Sequence, residues 1–483
     1  MTARHHPFAW LASFAILLLF FGCDRAAESQ ETLVVISPHR DEIRHEVEHG
    51  FAEWLQRQSG WRGTSAQIEW RDIGGGSSQI LRYLVAQYQA TPDSCGIDVL
   101  YGGGTDLYLD LKPKGILARY DLPPHLRQVL RPELHGVELR DPDGYWFGVM
   151  LSSLGILYNT ELLDRLGMGN WYPPQSWRDQ GDPRLLGWVS AGDPRMSGSV
   201  HMLYEWLLQR YGWDEGFPLL MRLGANARGF ARYSDAVSRD VLMGKSAAGG
   251  TLDSYGFSAL AREQRAVQAG KEPRAVLGLI LPKSEVVLNP DSIGILKGAP
   301  HRALAEAFVE YNLSEAGGQQ LWMLQPLQDP AERMRFPGAP HRYAICRLSV
   351  MERLYDSRIY PEAVRSVSVN PFDVATIGSL PRKYDNKLAE RRRRALQDLF
   401  GAWIIDAHDE LQASCRAVLA APAAKRAELE RDLFQPPCTE QELFAVKDRL
   451  GNPPDPRLRA ILLSDWLAAA RARYRRIEAA ARQ

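Results

Sequence analysis

The sequence predicts an α/β fold of two lobes followed by a helical C-terminal extension. Three observations carry that prediction. A strand, a Gly/Ser loop and a helix follow one another three times near the N-terminus, the pattern of a parallel sheet covered by helices. The same grammar returns after about residue 145. From about residue 346 the strand signal fades and Arg, Ala and Glu dominate.

The elements read in order. Residues 33–36 are a short apolar β run, and Ser37 with Pro38 suits the cap and first position of a helix. Residues 68–73 form a second strand, running into Gly74, Gly75, Gly76, Ser77 and Ser78 and then a helix carrying Ile80, Leu81, Leu84 and Tyr88. A third strand over 97–101 runs into Gly102, Gly103, Gly104, Thr105 and Asp106. Beyond residue 145, a strand over 188–191 ends in Gly192, Asp193 and Pro194, and a helix is expected over 199–211. Further apolar runs cover 247–252 and 276–281. The extended apolar stretches 145–159 and 286–296 lie between the two blocks and serve as crossovers. The expected units are a signal over 1–23, lobe 1 over 31–144 with 287–345, lobe 2 over 145–286, and the extension over 346–483. Within the extension, Leu396, Leu399, Trp403, Ala407 and Leu411 recur at helical spacing, as do Leu462, Trp466, Leu467 and Ala470. The run Arg391 to Arg394 beside the first stripe reads as a solvated helix face.

Charge and targeting narrow the function. Across 483 residues, 58 basic and 58 acidic side chains cancel, so nucleic-acid binding has no bulk electrostatic support. Arg4, His5 and His6 precede an apolar run over 8–21 and then Gly22, Cys23 and Asp24. That run is shorter than the ~20 residues a membrane span needs and fits an export signal. Its end is similar to a bacterial lipobox, with Cys23 as the acylated residue; a plain cleaved signal is the alternative. The mature chain is expected outside the cytoplasm, touching the membrane through a lipid anchor only. Export permits disulfides among Cys95, Cys346, Cys415 and Cys438, but sequence does not choose among the pairings.

One enzymatic motif stands out: His45, Glu46 and His49 spell HExxH, the zinc-hydrolase pattern. At about 100° per residue from Ile43, the residues Val47, Phe51, Trp54 and Leu55 cluster on one face, whereas His45 and His49 fall near 200° and 240°. A chance match on an outer helix face is therefore the preferred reading. Gly244, Lys245 and Ser246 look like the end of a P-loop, but Arg239 stands where its first glycine belongs. No GxSxG or GxGxxG motif occurs. The loops suit binding better. Ser197, Gly198 and Ser199 precede a helix whose N-terminal amides attract anions, and the loops holding Ser77 and Gly103 offer similar donors from the other lobe.

At this point a family resemblance enters. Residues 35–39, Asp98-Val99-Leu100-Tyr101, Trp146-Phe147-Gly148 leading to Leu157-Tyr158-Asn159, the segment 192–199, and 299–322 with Ser314-Glu315-Ala316-Gly317 resemble, in order, the extracellular solute-binding proteins of ABC importers. The ferric-iron-binding branch is the most similar, over about residues 32–345. The resemblance implies a two-lobed type II periplasmic-binding fold, hinged on two crossover strands, with a small ligand in the cleft and a membrane permease as partner. It implies no catalysis and no resident cofactor, and the protein is expected to act as a monomer. Iron-binding members use a His after the first strand, a carboxylate in lobe 1 and two adjacent Tyr in lobe 2. His39 matches the first and Tyr255 the second Tyr; Ser254 stands where the first Tyr would be, and no residue matches the carboxylate. Asp253, Tyr233 or an anion at Ser197 to Ser199 are left to complete a ferric set. The expected ligand-binding residues are His39, Ser77, Gly103, Asp106, Ser152, Ser197, Gly198, Ser199, Tyr233, Asp253 and Tyr255. Ferric iron and an organic or phosphorus-containing anion both remain open as cargo, and a zinc hydrolase or a ligand-sensing ectodomain are the alternatives in function.

Overall fold

In the computed structural model, residues 29–378, 384–451 and 454–483 are described; the expected signal and Cys23 lie outside them. Alternation of apolar runs with Gly-bearing loops yields nine principal strands: β1 (Ser29–Ile36), β2 (Thr64–Arg71), β3 (Val99–Gly104), β4 (Phe147–Asn159), β5 (Val189–Gly192), β6 (Ala227–Ala231), β7 (Ala248–Leu252), β8 (Leu277–Ile280) and β9 (Leu288–Leu296). They form one path in the order β2-β1-β3-β9-β4-β7-β5-β6, with β8 also on β4. Parallel pairing of β1 with β2 and β3, and of β5 with β6 and β7, marks two α/β halves. The 13-residue β4 is shared between them. Its first part, to Ser153, pairs antiparallel with β9; from Leu154 its partners are β7 and β8. The predicted crossovers are therefore β4 and β9.

Helix α1 (Asp41–Arg57) buries Ile43, Val47, Phe51, Trp54 and Leu55, the stripe that periodicity predicts. Its start is later than expected. Arg40 occupies the cap position, and Ser37 Oγ instead accepts from the amide of His39 at 3.1 Å. Ser caps a local turn here, competing with the helix for its own backbone. The consequence is a short extended loop that carries His39 and Arg40 beyond β1. Helices α2 (Ser77–Ala90) and α3 (Thr105–Leu111) follow β2 and β3. In the second half, α4 (Gly198–Tyr211), α5 (Trp213–Asn226), α6 (Ser234–Leu242) and α7 (Asp253–Gln268) pack around β5 to β7, and α8 (Arg302–Leu313) returns to the first half.

The C-terminal region divides between the halves. Residues 346–378 are largely irregular, correcting the expectation of helix from 346 onward: Pro361 and Pro371 interrupt any helical run, and no 3.6-residue apolar stripe is present. Ile345, Leu348, Leu354, Tyr360 and Ile377 join the core of the first half. Helices α9 (Asn386–Phe400), α10 (His408–Ala420), α11 (Ala423–Phe434), α12 (Glu440–Leu450) and α13 (Pro456–Arg482) belong to the second half. Their stripe Leu396, Leu399, Trp403, Ala407 and Leu411 is buried against it as predicted, with Phe400 stacked on Tyr204 at 4.6 Å between centroids. The arginine run is not a solvated face throughout. Arg392 is 2% exposed and holds Glu205, itself 0% exposed, through a bidentate pair at 2.8 and 2.9 Å. A desolvated guanidinium with two carboxylate oxygens in its plane satisfies both charges. All four described cysteines are free thiols, so Cys415 and Cys438 are not joined.

Candidate functional site

The loop after β1 projects Arg40 toward the second half. Its guanidinium pairs with Asp235 at 3.1 Å and lies over the ring of Tyr255, 4.5 Å from the centroid. Asp235 opens α6 and Tyr255 sits in the first turn of α7, so three helix starts meet here. Beside them opens a cavity of about 690 Å³ bounded by α1, α6, α7 and the segment 342–347. Its charged lining is Arg40, Arg239, Arg262, Arg265, Arg342 and Arg347 against only Glu42 and Asp235. Six cations facing two carboxylates give a wall that draws anions.

Beneath this wall lies a buried polar cluster. Arg347, 6% exposed, donates from Nη1 to Ser152 Oγ at 2.7 Å, on the shared strand β4. Asp253, 0% exposed, accepts from the amide of Ser254 at 2.7 Å through Oδ1, while its Oδ2 has no hydrogen-bond partner. Burial pushes its carboxyl up to about 7, against the pull of Arg347 and the amides of Ser153 and Ser254. His39 Nε2 stands 3.8 Å from Asp291 Oδ2, too far for a hydrogen bond. Burial lowers the His39 pKa despite Asp291. For Asp291, burial raises and His39 and Arg347 lower, and the lowering prevails.

The expected site residues separate into groups. Tyr255 lines the cavity, and Asp253 and Ser152 lie at its base through Ser254 and Arg347. His39 is turned into the first half, edge-on to Tyr101 at 4.8 Å. The glycines of the β3 loop serve close packing: a Cβ on Gly102, at φ 90°, would stand 2.5 Å from the His39 ring, and one on Gly103, at φ 87°, 2.9 Å from Ser77 Oγ. Asp106 meets Arg393 of α9. Ser197 caps α4 by accepting from the Val200 amide at 3.4 Å, and with Gly198 and Ser199 it is not among the cavity's lining residues. Tyr233 is 64% exposed, outside the cavity. The HExxH motif is a packing feature. Glu46 is fully buried and accepts from the amides of His341, Arg342 and Tyr343 at 2.5, 2.8 and 2.8 Å, leaving no free carboxylate to serve as a base.

Sequence reasoning missed Arg40, Ser254, Arg347 and Arg393. Arg40 directly follows the quoted His39 and was within reach of it. The Arg347 guanidinium is held by Ser152, 195 positions away, a contact for which one sequence offers no signal.

Comparison with known proteins agrees with this architecture. A phosphoglycerate transport regulatory protein, PgtC, of Salmonella typhimurium is 25% identical over 283 residues, 56% of this chain and 66% of its own length. An uncharacterized protein of Haemophilus influenzae is 26% identical over 238 residues, 49% of this chain and 64% of its own. The chain thus spans just under two thirds of the length of these relatives. The solved periplasmic binding protein P5PA superposes with a TM-score of 0.52 at 20% identity, covering 77% of this chain and 99% of that one, which supports the two-lobed fold. A family model described as bacterial extracellular solute-binding protein matches residues 97–339, half of the chain. The chain belongs to the bacterial extracellular solute-binding protein family, a family of binding proteins.

Proposed function

We propose that this protein is the substrate-binding component of an ABC importer, capturing a small phosphorylated or carboxylated anion between its halves and presenting it to a membrane permease. In this reading it is exported and held at the membrane surface by acylation of Cys23. The carrying observation is the cavity of about 690 Å³ whose six arginines outnumber its two carboxylates. PgtC is by its name concerned with phosphoglycerate transport, and that cargo has the charge this wall suits. A binding protein needs only that its ligand favour the closed arrangement over the open one.

Ferric iron as a bare ion fits less well. Hard iron prefers anionic oxygen ligands. The matching His39 faces Tyr101 and Gly102, and the ring of Tyr255 lies under a guanidinium.

Thermal-shift titration with inorganic phosphate, phosphoglycerate, citrate and ferric citrate tests the reading. At ~100-fold excess over Kd a ligand adds about 2.7 kcal/mol to apparent stability. A phosphorylated anion should give such a shift, weakening with salt. A shift with ferric citrate alone, together with a visible phenolate-to-iron band lost in Tyr255→Phe, would instead make iron the cargo.

A further inference from the structure

The arginines around the cavity are not equivalent. Arg40 and Arg239 share Asp235, at 3.1 and 3.8 Å. Arg262, Arg265 and Arg342 are exposed at the rim, where water solvates them. Arg347 is 6% exposed, yet among the described residues no carboxylate lies within ion-pair distance of its guanidinium, whose one hydrogen bond goes to a neutral hydroxyl, and Asp291 and Asp253 act on it only from farther away. A desolvated cation without a counter-ion is costly and persists where it serves a purpose.

Two further observations point the same way. Ser254 lines the same cavity, is 2% exposed, and its Oγ has no hydrogen-bond partner. It is the second residue of the 16-residue α7, whose first-turn amides carry partial positive charge. The backbone leading to Arg347 is held with care: Cys346 has φ 57°, a conformation side-chain-bearing residues avoid, and Glu46 clamps three consecutive amides just upstream.

Resting on the anion reading above, we infer that Arg347 is the residue that anchors the ligand's anionic group, with Ser254 Oγ and the start of α7 completing the subsite. Arg347 lies beyond residue 339, where the family match ends. The specificity-determining cation therefore comes from outside the matched region, while the exposed arginines supply long-range attraction.

Calorimetric and thermal-shift titration with inorganic phosphate and phosphoglycerate tests this on the full chain. Losing a buried charge-assisted anchor should weaken binding about 100-fold or more in Arg347→Met, and about 10-fold in Arg347→Lys, which keeps the charge without the planar fork. Arg262→Met, at the exposed rim, should weaken binding far less than Arg347→Met and make its salt dependence shallower. Because no carboxylate lies within ion-pair distance of the guanidinium and only longer-range attraction to Asp291 and Asp253 is lost, ligand-free Arg347→Met should melt close to wild type. If it does not fold, Arg347→Lys and Ser254→Ala carry the test, the latter with about a 10-fold loss. Wild-type binding matched by equal binding in the Arg347 variants overturns this inference and leaves the anion reading intact. A wild type indifferent to every anion overturns both.

Discussion

Asp253 occupies the first position of α7 with no access to solvent, and burial holds its carboxyl near 7 rather than in the usual carboxylate range. The folded state therefore favours the neutral acid. That contribution is fully present below about pH 4, the unfolded value, and is lost as pH rises through about 7. Chemical denaturation of wild type across that window should show a decline on the order of a few kcal/mol assignable to this group, and Asp253→Asn should flatten it. His39 acts in the opposite sense: its lowered pKa adds stability above about 6.5 that is lost as pH falls through the folded value. An Asp253→Asn profile that keeps the full wild-type decline would show that the buried carboxyl is ionised throughout. At this scale the sequence was partly legible. Tyr255 was found through the family resemblance, as the counterpart of the second Tyr of the iron-binding members. Arg392 and Arg393 were misread because four consecutive arginines on a helix look solvated until the facing Glu205 and Asp106 are known.

Among the elements, most strands were legible as apolar runs, but β6 was not, because Arg228 and Gly229 interrupt it. The onset of α1 was not, since Ser37 can cap a turn as readily as a helix, and only packing decides. Nor was the path of 346–378, whose apolar residues follow the surface they cover instead of a period of their own. The attachment of α9 rests on the Glu205–Arg392 pair, which also reaches Glu440 of α12. Arg392→Met leaves Glu205 buried with only the neutral Gln209 amide and should cost about 3–5 kcal/mol in urea unfolding, whereas Glu205→Met, after which Arg392 keeps Glu440, should cost less. The double variant should recover much of that loss, because an apolar pair of similar volume replaces an ionic one. Additive losses would mean that each residue is held by something besides the other.

For the molecule as a whole, two polar bridges join the halves at separate places. Arg40 reaches across to Asp235 and Tyr255, and Arg393 of the extension reaches Asp106. Partly exposed ion pairs of this kind contribute about 0–1 kcal/mol each, so they bias the arrangement of the halves without locking it. In the ligand-free protein, Arg40→Ala combined with Arg393→Ala should enlarge the radius of gyration measured by X-ray scattering while changing unfolding free energy by at most about 2 kcal/mol. Unchanged scattering would place the restraint in apolar packing. The long strand β4 gives this balance its mechanical meaning. Its neighbours change at Ser153 and Leu154, so that peptide is the spine shared by the two halves. Ser152, one residue from the spine, is gripped by Arg347. On the proposed reading, an anion settling on that guanidinium would act beside the axle and not at the handle.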